Sequence, residues 1–426
     1  MFNMKILHLN TFESSGGAAI AARRLHTALN QDGRVTSIMG VKERDSDAQN
    51  VYALPLYRSK IMNKVLGKTL AKFNDKLLAW HRPSKNIFFS AYIFPNSLAT
   101  AIENLHPDII HLHWIAGNFI SPTVLQKISK LSIPTVWTLH DTWAFTGGCH
   151  YFGDCHKWQT QCNACPNLGH HFPLDIVKMQ WGMKKKSYKK LQPTIIGLSH
   201  QFTHDIKKSS LLHEYPIATL PNTIDTKIFR PIKKSITKAI LGLSPHKKYI
   251  LFGACAAAND PRKGYDLLSQ ALQILSSQNR DSVSCLIFGA SHANTPPSHQ
   301  MPVTFLGALH DEITLALAYS AADVFVCPSR EENLPNTVME SLACGTPVVG
   351  FAVGGIPDMV EHKVNGMLAT PHDPQELAAG IAYVLEDQER REAMGRAARR
   401  TVEEKYAYPV VAKQYIELYQ QLLNRK

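Results

Sequence analysis

Short apolar runs recur along the chain between amphipathic stretches, at residues 5–9, 109–112, 135–139, 194–198, 249–252, 285–288, 324–327 and 347–350. Each has the length of a buried parallel strand and is rich in Ile, Val and Leu, and most are followed by Gly, Pro, His or Ser. The stretches between them, including 265–276, 312–321 and 336–343, read as helices. Strand and helix alternating over the full length predict doubly wound parallel sheets, an α/β fold. From 221 to 248 the rhythm lapses into Pro, Lys and Ser, and it restarts at Tyr249. That lapse predicts a first domain over 1–230 and a second over 231–408. A closing helix over 409–426 is expected to pack back on the first domain.

A chain of 426 residues suffices for two domains of ordinary size. With 45% hydrophobic and 19% charged residues, it falls in the globular class and outside the disordered one. The net charge of +12 changes the picture more. It suits an anionic partner: a nucleotide sugar, an acidic glycan, a lipid headgroup or nucleic acid. The start, MFNMKILHLN, turns polar too soon for a signal peptide, and no apolar run approaches the roughly 18 residues of a spanning helix. A cytoplasmic location is therefore expected, and the eight cysteines need a reducing-compartment explanation.

The densest candidate chemistry lies at Ser329-Arg-Glu-Glu-Asn-Leu-Pro-Asn-Thr-Val-Met-Glu340, between a strand and a helix. Glu332 falls in the strand-to-helix loop, at the carboxyl edge where ligands of such sheets bind. Glu340 falls about one turn into the helix. A carboxylate accepts two hydrogen bonds from a vicinal diol, so Glu340 suits a ribose and Glu332 a hexose. Backbone N–H groups of 336–338 open the helix and can hold a diphosphate. The plainer alternative is a pair of solvated glutamates where acids are favoured anyway.

Residues 329–368, SREENLPNTVMESLACGTPVVGFAVGGIPDMVEHKVNGML, resemble the signature region of glycosyltransferase family 4, retaining enzymes of the GT-B fold that serve bacterial polysaccharide and lipopolysaccharide biosynthesis. Pro261-Arg262-Lys263-Gly264 resembles its lysine–glycine step, and LPNTIDTKIF at 220–229 the segment preceding its second domain. MKILHLN with Gly16-Gly17-Ala18, and TLHD at 138–141, resemble its first domain. The likeness is dense over 249–368 and sparse over 40–105. It implies two facing Rossmann-like domains with a cleft between them.

The resemblance further implies Glu340 on the ribose, Glu332 on the sugar hydroxyls, and Lys263 on the diphosphate. Asn333, Leu334, Pro335, Asn336 and Thr337 would line the donor. Gly16 and Gly17 would form the close-approach loop, and His140 would act beside the transferred sugar as a catalytic residue. Two departures stand out. Where relatives have an arginine after the first strand of the second domain, this chain runs Gly253-Ala-Cys-Ala-Ala-Ala, which makes Arg262 the substitute cation. Where they have Glu-Gly-Phe, it has Glu332-Asn-Leu. Lys263 would otherwise be a surface lysine, His140 a buried and satisfied histidine, and the glycine pair a turn.

The implied reaction moves a sugar from a nucleotide-sugar donor to a hydroxyl of a glycan or lipid-linked acceptor, with no catalytic metal or cofactor. Asp45-Ser46-Asp47 matches the metal-binding pair of the other glycosyltransferase fold, but it lies in polar KERDSDAQN and reads as a loop. An epimerase or phosphorylase on the same fold is the alternative enzyme class. A basic nucleic-acid-binding module is a third reading, lacking any aromatic-plus-basic stacking motif.

Two features lie outside the donor motif. Cys149, Cys155, Cys162 and Cys165 form C-x5-C-x6-C-x2-C, a candidate structural zinc site with His150 and His156 as alternative ligands. Free thiols, or disulfides formed in air, are the other reading. Cys255, Cys285, Cys327 and Cys344 read as core. Lys60, Lys64, Lys68, Lys72 and Lys76 alternate with Leu66, Leu70, Phe73, Leu77 and Trp80 at helical spacing, and Lys184-Lys185-Lys186 with Lys189-Lys190 follows Trp181. Both suggest peripheral contact with an anionic membrane at its cytoplasmic face, against the simpler reading of ordinary surface helices.

Overall fold

Two all-parallel sheets organise the chain. The structure, a computed structural model, describes residues 4–57, 69–76, 78–79, 88–168, 175–253, 260–277, 282–289 and 301–424. The chain divides into two units, Met1–Pro221 with Ala412–Lys426, and Asn222–Val411. The division falls at 221/222, short of the expected 230/231. The reason is local: Thr223 Oγ1 donates to the Tyr406 carbonyl at 2.9 Å, and Ile224 bridges to Ala407, so this strip is built into the second unit.

The first unit's sheet contains β1 (Met4–Phe12), β2 (Val35–Glu43), β3 (Val51–Ala53), β4 (Ile109–Leu112), β5 (Thr135–Leu139), β6 (Thr194–Gly197) and β7 (Ile217–Thr219), in the order β3-β2-β1-β4-β5-β6-β7. The order reverses between β1 and β4, the point where open sheets of this kind form a crevice at their carboxyl ends. Ile6, Leu7, Leu9, Ile110 and Leu112 are fully buried, as strands covered on both faces require. Tyr415 and Tyr419 of the closing helix, Tyr408–Asn424, pack within this unit: Tyr419 OH lies 2.7 Å from His111 Nδ1.

The second unit's sheet contains β8 (Lys248–Gly253), β9 (Val283–Phe288), β10 (Val303–Gly307), β11 (Val324–Cys327), β12 (Val348–Phe351) and β13 (Gly366–Ala369), in the order β10-β9-β8-β11-β12-β13. Its reversal falls between β8 and β11. Helices Tyr265–Ser276, Glu312–Ala321 and Asn336–Ala343 stand where the spacing predicts them.

The apolar pattern overlooked β2, β3, β7, β10 and β13. Four of these are the outermost strands of the two sheets. Edge strands are short and half-solvated, so they lack the continuous apolar signature. β2 runs directly into the Asp45-Ser46-Asp47 stretch. The loop itself is occupied locally: Ser14 Oγ donates to Asp45 at 2.5 Å, and the N–H groups of Asp45 and Ser46 donate to Glu13.

Of the expected basic helix, Lys60, Lys64, Leu66, Lys68, Leu77 and Trp80 lie outside the described residues, as do Cys255 and the alanines around it. Residues 69–76 are helical, with Lys72 and Lys76 exposed and Phe73 57% exposed. Among the described residues no helix is long and apolar enough to cross a membrane.

Candidate active site

Three loops at the carboxyl ends of β8, β11 and β12 build the site in the second unit. The turn Pro261–Lys263 ends at Gly264, whose φ of 68° puts it in the left-handed region. A Cβ there would overlap the Pro328 carbonyl, so glycine lets the two loops touch. Gly354, φ 53°, meets the Glu332 carbonyl in the same way from the loop after β12. Arg330 N–H donates to the Arg262 carbonyl at 2.8 Å. Lys263 Nζ consequently reaches Glu332 Oε1 at 2.6 Å, and Ser329 Oγ donates to the same oxygen at 2.9 Å.

Arg262 turns to Asp260, with Nη2 to Oδ2 at 2.5 Å. A second arginine, Arg330, is held by both carboxylate oxygens of Asp266 and by the Pro261 carbonyl. Asp260 also caps the turn through Arg262 N–H at 3.0 Å. These bonds fix the backbone that carries Lys263.

Glu340 lies within the helix Asn336–Ala343 and is only 4% exposed. A buried carboxylate needs donors, and Tyr319 OH supplies one to Oε2 at 2.9 Å. Asn222 Nδ2 donates to Asn336 Oδ1 at 3.2 Å, tying the start of that helix to the strip that opens the second unit. Leu334 is buried, while Asn333, Asn336 and Thr337 are partly accessible.

In the first unit, histidines gather at the reversal point. His8 of β1 pairs in register with His111 of β4. His8 Nδ1 lies 2.9 Å from His113 Nε2, and His113 Nδ1 lies 3.1 Å from His140 Nε2. Burial, with His111, His8 and His140 adding to it, holds His113 well below its usual range. Burial likewise lowers His140 to about 4, although Asp141 pulls the other way. These rings are therefore neutral near pH 7. Among the described residues, His8, His111 and His113 are the one group of ligand atoms within 4.8 Å of one another. Both nitrogens of His111 and of His113 lie within hydrogen-bond distance of neighbours, and the chain of rings leads to His140.

Asp141 accepts from Trp114 Nε1 at 2.6 Å and from Trp143 N–H at 2.9 Å, and its Oδ2 lies 2.6 Å from His150 Nδ1. Gly16, φ 88°, directly precedes the helix Gly17–Asp32 at the end of β1. Gly16, Gly17 and His140 thus all lie at the carboxyl edge of the first sheet.

Beyond His140 the four cysteines line one pocket. Cys149, Cys162 and Cys165 are buried, Cys155 is half-buried, and all are free thiols. Lys184 is buried too, donating to the Thr146 carbonyl at 3.0 Å and to that of Trp143, with its ammonium 3.7 Å from the Trp143 ring centre. Lys184 and the buried Trp181 are thereby removed from the surface cluster expected of 184–190, which leaves Lys185, Lys186, Lys189 and Lys190 exposed.

Sequence reasoning named Glu332, Glu340, Lys263, Arg262, Gly16, Gly17 and His140. It missed Tyr319, Ser329, His113 and the Asp141–His150 pair. The clue for His113, Asp141 and His150 was present in HLHW at 111–114 and in the run from His140 to His150. Tyr319 carried no clue, because it reads as an ordinary core residue of an apolar helix.

Residues 235–401 match the family described as glycosyl transferases group 1, and residues 15–228 match Glycosyltransferase Family 4. The chain is 34% identical over 191 residues to a D-inositol 3-phosphate glycosyltransferase of Segniliparus rotundus, covering 42% of each chain. It is 39% identical over 106 residues to the sulfoquinovosyl transferase of Arabidopsis thaliana, covering 24% of this chain and 21% of that one. It thus spans less than half the length of these two relatives. Among solved structures it is similar to sucrose-phosphate synthase from Thermosynechococcus elongatus, with TM-score 0.68, 21% identity and all of both chains covered. It is also similar to HepE of Anabaena in complex with UDP and glucose, with TM-score 0.65 and 18% identity over 98% of this chain and 100% of that one. The two parallel sheets and the two family matches together lead to one conclusion: the chain belongs to glycosyltransferase family 4 and has the GT-B fold.

Proposed function

We propose that the chain is a retaining, metal-independent hexosyltransferase that uses a nucleoside diphosphate sugar. The observation that carries this reading is the Lys263–Glu332 pair at the carboxyl ends of β8 and β11, with the buried Glu340 in the helix that follows. An ammonium has three N–H donors, so Lys263 can hold Glu332 and a phosphate oxygen together. Glu340, a carboxylate in the helix that follows the Glu332 loop, suits a ribose diol. Likeness to HepE, described with UDP-glucose, supports a nucleotide-sugar donor.

In the proposed step the bond from the anomeric carbon to the leaving phosphate oxygen breaks. The acceptor oxygen bonds the same face of that carbon, and its proton passes to the departing phosphate. Charge grows on the diphosphate, where Lys263 and the N–H groups opening the helix Asn336–Ala343 stabilise it. Asn333–Thr337 line the sugar, and Arg262 contributes by setting the Lys263 turn. His140, neutral, acts as a hydrogen-bonding partner of the transferred sugar, with Gly16 and Gly17 giving backbone access to the ligand.

The acceptor is a glycan or lipid-linked hydroxyl in polysaccharide biosynthesis, reached by a cytoplasmic protein at the inner membrane face. The decisive experiment is a screen of nucleotide sugars for binding and hydrolysis, followed by product analysis with acceptor sugars. Transfer with an unchanged anomeric configuration is expected. Conversion of the donor to its epimer without an acceptor would favour the epimerase reading. A thermal shift with single-stranded RNA but with no nucleoside diphosphate would favour the nucleic-acid one.

A further inference from the structure

The segment from Gly147 to Leu168 has one short turn of 3-10 helix, Lys157–Gln159, and little else in regular structure. Its order must come from elsewhere. All four cysteines face one pocket, and the rings of Phe152 and Trp158 stack beside it at 4.9 Å. None of the lining residues carries a carboxylate. Two cations flank it instead: Lys157 Nζ donates to the Asn163 and Ala164 carbonyls at 3.1 and 2.8 Å, and Lys184 lies buried near Cys162 and Cys149. Ala164, inside the C-x2-C pair, sits in the left-handed region at φ 36°. Four thiols around one pocket, with the buried Lys184 ammonium nearby and no carboxylate among the lining residues, match a four-cysteine metal site.

We propose that Cys149, Cys155, Cys162 and Cys165 bind one zinc ion in a closed structural site that fixes the loop carrying the Asp141–His150 pair. Four S–H bonds break, four Zn–S bonds form, and the four protons leave to solvent. The resulting shell carries a net charge of two minus, which Lys157 and Lys184 offset. Among the described residues no three of these sulfurs lie within 4.8 Å of one another. Zinc–sulfur bonds of about 2.3 Å bring tetrahedral sulfurs to within about 4 Å, so binding draws the loop inward. Cys149 passes this order to the site: its carbonyl accepts from Thr142 and Thr146, and its neighbour His150 holds Asp141 beside His140.

The test uses the full untagged chain, purified without chelator from zinc-supplemented cells, and measures metal by elemental analysis and release with a mercurial. The expected result is about one zinc per chain, lost in Cys155→Ser and in Cys165→Ser and retained in Cys344→Ser. Cobalt substitution should give the visible bands of a tetrahedral thiolate site. Limited proteolysis should cut within 150–165 only in the zinc-free variants. Wild-type protein without zinc, with its four thiols titrating freely or with a Cys149–Cys165 disulfide found by mass spectrometry, overturns the proposal.

Discussion

Lys263 Nζ and Glu332 Oε1 lie 2.6 Å apart although 69 positions separate them in the chain. The two form an ion pair at the carboxyl edge of the second sheet. Lys263→Ala and Glu332→Ala are each expected to lower kcat/KM about tenfold to a hundredfold, the value of one charge-assisted hydrogen bond of about 1.5–3 kcal/mol. The double variant should lose less than the sum of the two, because paired groups couple. Steady-state kinetics on the four proteins checks this, and strict additivity would separate the pair.

Tyr319 donates to Glu340 at 2.9 Å inside the second unit. Glu340→Ala should weaken nucleotide binding about tenfold to a hundredfold and change kcat little, since ribose contacts are made equally in ground and transition states. Tyr319→Phe, which removes one oxygen, should weaken binding by less than Glu340→Ala. Calorimetric titration with nucleoside diphosphates distinguishes the two, and unchanged affinity in Glu340→Ala removes the ribose role.

Acid should destabilise the first unit earlier than ordinary carboxylate titration requires. Burial lowers His26 and His140 to about 4 and His111 to about 3, with His140 adding to the last. The unfolded imidazoles take up protons near pH 6.5. Between that value and about 4 the unfolded chain therefore binds more protons, and stability falls as pH falls. Urea unfolding should show the midpoint dropping steadily below about pH 6.5. A flat midpoint down to about pH 5 would mean the histidines protonate within the fold.

Brief exposure to EDTA should leave sugar transfer unchanged. In the proposed mechanism a cation and helix N–H groups do the work that a divalent ion does elsewhere, and the proposed closed four-thiolate site would yield zinc slowly. Rapid loss of activity, restored by magnesium or manganese, would place a metal in the reaction.

Lys185, Lys186, Lys189 and Lys190 leave one helix exposed, and Lys72 and Lys76 another. Reversible, salt-dependent binding to vesicles rich in anionic lipid is expected, weakened when Lys185, Lys186, Lys189 and Lys190 are changed to Glu. Co-sedimentation at low salt tests this. Wild type that stays in the supernatant points to a soluble acceptor.

The apolar runs were enough to set the fold class, and the resemblance of 329–368 pointed to the family. Buried central strands and strand-to-helix loops are local features, written in consecutive residues. The edge strands stayed hidden because their pattern is half polar, and the domain boundary because Thr223 and Ile224 pair with residues more than 180 positions away. Only the tertiary structure joined Lys263 to Glu332 and placed Tyr319 on Glu340. It stacked His113 on His140 and turned Lys184 from a surface charge into a buried one. These relationships depend on which strands lie adjacent, and adjacency in a parallel sheet is set by crossovers that no local spacing records.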